Sequence, residues 1–110
     1  MSSGWKIVIA PEYWEYLVTR LEELERADTV DSSPDAQHDF LEEYDDIERF
    51  NEISDALASA KVNPLDILRV GKDEKGNFAY FLEVGRLRGV YYLDVDKKEG
   101  AGVTCRYCER

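Results

Sequence analysis

The way apolar periodicity changes along the chain predicts an α+β fold: an N-terminal strand, a helical hairpin, then an antiparallel sheet of three to four strands. Three observations carry this expectation. Alternation with period two opens the chain, spacing of three to four residues fills its middle, and alternation returns in the last part with turn residues between the runs. Helices covering one face of a sheet satisfy that order.

The first strand is "WKIVIAP", in which Trp5, Ile7 and Ile9 alternate with Lys6 and Val8 until Pro11 ends it. Pro11 also suits a first helical turn, where Glu12 and Glu15 meet the positive end of the helix dipole. From Tyr13 to Arg26, Trp14, Leu17, Val18, Leu21 and Leu24 recur at helical spacing and predict one buried stripe. Ala27 to Asp39 lacks periodicity and carries Pro34 with two serines, so a loop is expected there, with His38 exposed in it. A second helix is expected from Asp39 to Lys61, with Phe40, Tyr44, Ile47, Phe50, Ile53 and Leu57 on its buried side. Asn63-Pro64 closes it, because proline disfavours helical geometry in the residue before it.

Strands are expected at Leu65 to Val70, Phe78 to Val84, Leu87 to Val95 and Val103 to Tyr107, with "GKDEKGN" and "DKKEGAG" as turns. Gly85-Arg86 fits a two-residue hairpin turn with glycine first. That turn fixes a register in which Val84 faces Leu87, Leu82 faces Gly89 and Tyr80 faces Tyr91. With Phe78 and Leu93 these form an apolar face to lie under the helices. The other face carries Ala79, Phe81, Glu83, Arg88, Val90, Tyr92 and Asp94, the mixture expected of a solvated sheet side.

A chain of 110 residues supports one modest core, and a single domain over residues 1–110 is expected. Hydrophobic residues at 44% and charged residues at 35% exclude disordered and membrane classes. No run approaches the roughly 20 apolar residues of a membrane span, and "IVIA" is too short for a signal core, so a cytoplasmic location is expected. The formal charge of -10 is uneven. Residues 1–63 carry 16 acidic and 5 basic groups, whereas residues 64–110 carry 8 acidic and 9 basic ones. General nucleic-acid affinity is thereby excluded over the first half and a local basic site is allowed in the second.

Cys105 and Cys108 share a C-x-x-C spacing, but strand flanks put them roughly 10 Å apart on opposite faces, beyond disulfide reach. Zinc would need about four ligands. Asp94 and Asp96 do not begin a calcium loop, because Lys98 and Cys105 fall where oxygen ligands belong. No metal or cofactor is expected.

Glu83 opposite Arg88 is consistent with an ordinary cross-strand ion pair worth roughly 0.2–1 kcal/mol. It is also consistent with a positioned guanidinium fork suited to phosphate, beside aromatic rings able to stack on a base. At this point "KIVIAPEYWEYL", "FLEVGRLRGVYYLDV" and the element order resemble the RelE/ParE superfamily of toxin-antitoxin toxins. Val84-Gly85, Arg88 and Tyr91 fall at the places of that family's hairpin phrase, and Arg110 where it has its terminal arginine. The resemblance implies Arg88 and Arg110 as catalytic groups on a scissile phosphate, with Arg86, Tyr92 and Arg106 binding substrate.

Two activities are implied by the family: metal-independent cleavage of mRNA in the ribosomal decoding site by the RNA's own 2′-hydroxyl, and poisoning of DNA gyrase. A third alternative is a non-enzymatic member of the same fold that binds a protein. The implied partner is a cognate antitoxin. The run Glu42 to Glu48 is consistent with a solvated helix face; alternatively Glu42, Glu43, Asp45 and Asp46 select a basic antitoxin segment.

Overall fold

The computed structural model describes residues 4–30 and 34–108, with side chains described over 4–26 and 41–108. It is an α+β arrangement with the order β1 (Lys6–Ile9), α1 (Pro11–Val30), α2 (Pro34–Ala58), α3 (Pro64–Ile67), β2 (Arg69–Lys72), β3 (Phe78–Val84), β4 (Leu87–Asp94) and β5 (Glu99–Tyr107). The strands form one sheet in the order β1-β5-β4-β3-β2. The sheet is mixed, not purely antiparallel, because β1 runs parallel to β5 at one edge. The helical layer lies on one face: α1 packs against β5, and α2 against β1, β3 and β4.

Both helices run into the segment expected to be a loop, α1 to Val30 and α2 from Pro34. Pro34 opens a helix instead of breaking one, since its missing N–H costs nothing in a first turn. At the other end α2 stops on Ala60, whose φ of 58° is left-handed. The Lys61 and Ala60 amides bond back to Ala56 and Leu57, closing a Schellman turn on a residue with a Cβ. The strand expected at Leu65 is instead the turn of α3, and β2 begins only at Arg69. Asn63 causes the change: its side chain accepts the Leu65 amide as an N-cap, and Pro64 occupies the first helical position.

Four residues join β4 to β5, and "GAG" belongs to β5. Gly100 and Gly102 pair with Leu93 and Tyr91. A Cβ at Gly102 would lie 2.8 Å from the Tyr91 ring, so the glycine makes room for the ring and does not turn the chain.

The core between sheet and helices is built on Trp5, Leu17, Ile47, Phe50, Leu82 and Leu87. Each such side chain contributes roughly 1.5–3 kcal/mol by leaving water. Two expected core residues lie outside it, Val18 at 56% and Phe78 at 73% exposure. Tyr13 takes the buried place on α1, one position before Trp14. Its hydroxyl meets Ser54 Oγ of α2 at 2.7 Å and the Tyr91 hydroxyl of β4 at 2.8 Å, which ties both helices to the sheet. No helix among the described residues is long and apolar enough to cross a membrane.

Candidate functional site

The β3-β4 hairpin has the register expected from its turn: Val84 faces Leu87, Glu83 faces Arg88, Leu82 faces Gly89 and Tyr80 faces Tyr91. Gly85 takes a positive φ of 58° at the first turn position, while Arg86 does not. This is the geometry for which glycine-first turns are selected. Arg88 therefore projects from the sheet face opposite the helices.

A bulge in β5 brings a second arginine beside it. Tyr91 pairs with Gly102 and Val90 with Thr104, leaving Val103 as the extra residue. Without it Cys105 would stand opposite Arg88; with it the facing residue is Arg106. Cys105 is turned inward, where its Sγ donates to the Tyr13 carbonyl at 3.2 Å and burial pushes the thiol up to about 12. Both cysteines are free.

The outer face thus carries the row Glu83, Arg88, Arg106 across three strands. Arg88 Nη2 lies 3.8 Å from Glu83 Oε1, and its guanidinium carbon lies 5.3 Å from the centre of the Phe81 ring. Arg106 Nη1 lies 3.7 Å from Glu74 Oε1. Both ion pairs exceed ordinary hydrogen-bond length, and exposed pairs of this kind are worth about 0–1 kcal/mol. Directly opposed like charges on neighbouring strands are unfavourable. The two guanidinia consequently gain from any anion placed between them.

They line a groove of about 500 Å³. Its floor is Phe81, Val90 and Thr104, and its wall is the turn between β2 and β3 with Lys72, Asp73, Glu74 and Lys75. Four cations and two carboxylates line this groove, so its balance is positive in a chain of charge -10. Tyr92 closes one end by donating its hydroxyl to Asp73 Oδ2 at 2.8 Å. That bond, followed by the Asn77 and Lys75 amides, holds the Asp73 carboxyl below its ordinary range, and the same bond raises the Tyr92 phenol. The pair thus consists of a carboxylate and a protonated phenol at neutral pH. The groove provides guanidinium forks and aromatic rings, a combination able to bind a phosphate and its attached base.

The residues singled out in the sequence separate into groups. Arg88, Arg106 and Tyr92 meet in the groove. Arg86 does not: its Nη1 donates to the Tyr107 hydroxyl at 3.2 Å, at the rim of the sheet's helix side, because a turn residue need not follow strand parity. Arg20 of α1 also stands over the Tyr107 ring, 5.3 Å from its centre. Arg110 lies outside the described residues, as do the side chains of His38 and Phe40.

The acidic stretch of α2 divides as well. Glu42 and Asp45 face solvent. Glu43 is buried and accepts from Arg20 Nε at 2.8 Å and Nη2 at 3.1 Å, a two-point pair that joins α1 to α2 and keeps the guanidinium protonated. Asp46 is half-buried against Gly85. Burial raises its carboxyl, and Glu42 adds to the effect.

Lys72, Asp73 and Lys75 were not legible as groove residues, because "GKDEKGN" reads as a solvated turn and nothing in its sequence says that it curls over the outer face. Comparison of the chain with protein-family models, curated proteins and solved structures finds no match in any of the three.

Proposed function

We propose that this chain is a toxin-like protein of the RelE/ParE type whose outer groove binds the phosphodiester backbone of RNA. The observation that carries the proposal is the cross-strand pair of Arg88 and Arg106, two arginines opposed on neighbouring strands that line a basic groove of an acidic molecule. Cβ atoms of directly opposed residues stand roughly 4.5–5.5 Å apart, so both forks reach one phosphate. In cleavage of mRNA at the ribosome, the RNA's 2′-hydroxyl gives its proton to water and attacks the adjacent phosphorus, the P–O5′ bond breaks with O5′ taking a proton from water, and the two arginines stabilise the negative charge gathering on the phosphoryl oxygens. Tyr92, whose hydroxyl hydrogen is given to Asp73, offers its ring to a base at one end of the groove. Arg110 is retained as a helper by resemblance alone. The protein would act in the cytoplasm, without a metal, and a cognate antitoxin would restrain it, with Glu42 and Asp45 offering exposed charge to a basic segment.

A second proposal is supported by the Tyr92–Asp73 bond. It commits the groove's phenol and one of its carboxylates to each other and leaves proton transfer weakly provided. A non-enzymatic protein-binding member of the fold, or a gyrase inhibitor, needs no such transfer.

Inducible expression of the wild type beside Arg88→Ala separates these proposals when growth, mRNA integrity and DNA supercoiling are followed together. Growth arrest with fragmented mRNA, relieved by Arg88→Ala, is the expected outcome. Arrest with altered supercoiling and intact mRNA points to gyrase, and normal growth at good expression overturns the toxin proposal.

A further inference from the structure

We propose that Glu74 is an internal counter-anion of the groove, held beside Arg106 by a Tyr92–Asp73 latch, and that an incoming phosphate binds by displacing it. The proposal rests on the phosphate-binding role given to the groove above and adds the residues that set its affinity.

The outer row reads Glu83, Arg88, Arg106, Glu74, with the two cations inside and a carboxylate at each end, 3.8 Å and 3.7 Å away. The ends are not equivalent. Glu83 is a residue of β3 and pairs with Arg88 across the ladder, so its backbone is fixed by the sheet. Glu74 sits on the turn between β2 and β3, its side chain 89% exposed, and only that turn brings it to Arg106. A side chain so exposed gives up little when it swings away.

The turn is built to hold it there. Asp73 Oδ1 accepts the Lys75 and Asn77 amides at 2.9 and 2.8 Å, and the Asp73 amide bonds to the Asn77 carbonyl at 2.8 Å. These bonds extend the β2-β3 ladder into the turn but do not attach it to β4. The Tyr92 hydroxyl makes that attachment, at 2.8 Å to Asp73 Oδ2, from the strand that also carries Arg88. The residue after the latched aspartate is Glu74. The carboxylate next to Arg106 is therefore positioned from β4, and at 3.7 Å it stands in the path by which a phosphate oxygen would approach the guanidinium.

The test measures binding of a short single-stranded RNA with 2′-O-methyl sugars, which cannot be cleaved by its own hydroxyl, to the full chain at low salt. Glu74→Gln should bind roughly two- to fivefold more tightly, the range an exposed ion pair is worth. Glu52→Gln, the same charge change on the exposed face of α2, should bind as the wild type does. Tyr92→Phe should speed amide exchange at Lys75 and Asn77 in the free protein and shift affinity in the same direction as Glu74→Gln. Unchanged affinity in Glu74→Gln, or an equal gain in Glu52→Gln, overturns the counter-anion role while loss of binding in Arg88→Ala and Arg106→Ala leaves the groove standing. Wild-type binding in both arginine variants, or no binding by any protein, overturns the groove and this inference together.

Discussion

Replacing Tyr13 by phenylalanine removes one oxygen and deprives two buried hydroxyls of their shared partner. Ser54 Oγ and the Tyr91 hydroxyl lie 2.7 and 2.8 Å from Tyr13 but 3.5 Å from each other, too far for a good replacement bond. Two lost bonds at roughly 1 kcal/mol each give a cost of about 2 kcal/mol. Tyr91→Phe removes only one of the short bonds and leaves Tyr13 paired with Ser54, so about 1 kcal/mol is expected. Burial raises both phenols above their ordinary value, so the network stays neutral and the difference between the variants should not change between pH 6 and 9. Urea unfolding followed by far-UV circular dichroism measures both. At a slope of roughly 2 kcal/mol per molar urea, Tyr13→Phe should lower the midpoint by about 1 M and leave the slope unchanged. A loss below about 0.5 kcal/mol, or a larger loss in Tyr91→Phe, would refute Tyr13 as the hub that fixes β4 beneath the helices.

Other substitutions probe the elements that set the hairpin and the helix ends. Gly85→Ala forces a Cβ into a left-handed residue and against Asp46, and should cost at least 1–2 kcal/mol in the same assay. Ala60→Gly should gain up to about 1 kcal/mol, because it relieves the left-handed alanine that ends α2. Asp46→Asn should stabilise at pH 7. A carboxyl raised in the folded state favours unfolding above its folded pKa, and the penalty fades as pH falls through that value. The gain should thus vanish below the ordinary aspartate pKa of about 3.9. Alkylation at pH 8 followed by peptide mass mapping should modify half-exposed Cys108 and spare Cys105, whose buried thiol is pushed up to about 12.

The parts of the fold governed by local periodicity and turn chemistry were legible in the sequence. Gly85-Arg86 specified its own turn, and the turn specified a register that the structure keeps through Tyr80 and Tyr91. Features that depend on distant partners were not legible. Gly102 of β5 reads as a turn residue because the ring that needs it belongs to Tyr91 on another strand. Val18 and Tyr13 differ by less than two helical turns in sequence, and only the placement of the sheet decides which is buried. The site shows the same division. Arg88 was placed on the outer face by alternation alone, whereas Arg106 reaches it through a bulge at Val103 that leaves no composition signal. The family resemblance implies the same site for Arg86, but its side chain reaches Tyr107 instead.

The salt dependence of RNA binding tests the central claim most directly. For single strands, log K falls against log salt by about 0.7 for each phosphate contact neutralised. With uncleavable RNA, Arg88→Ala and Arg106→Ala should each weaken binding, and the double variant, which leaves their one shared phosphate without a counter-charge, should flatten that slope by about 0.7. A double variant that binds with wild-type affinity and an unchanged slope would contradict a phosphate site between β4 and β5.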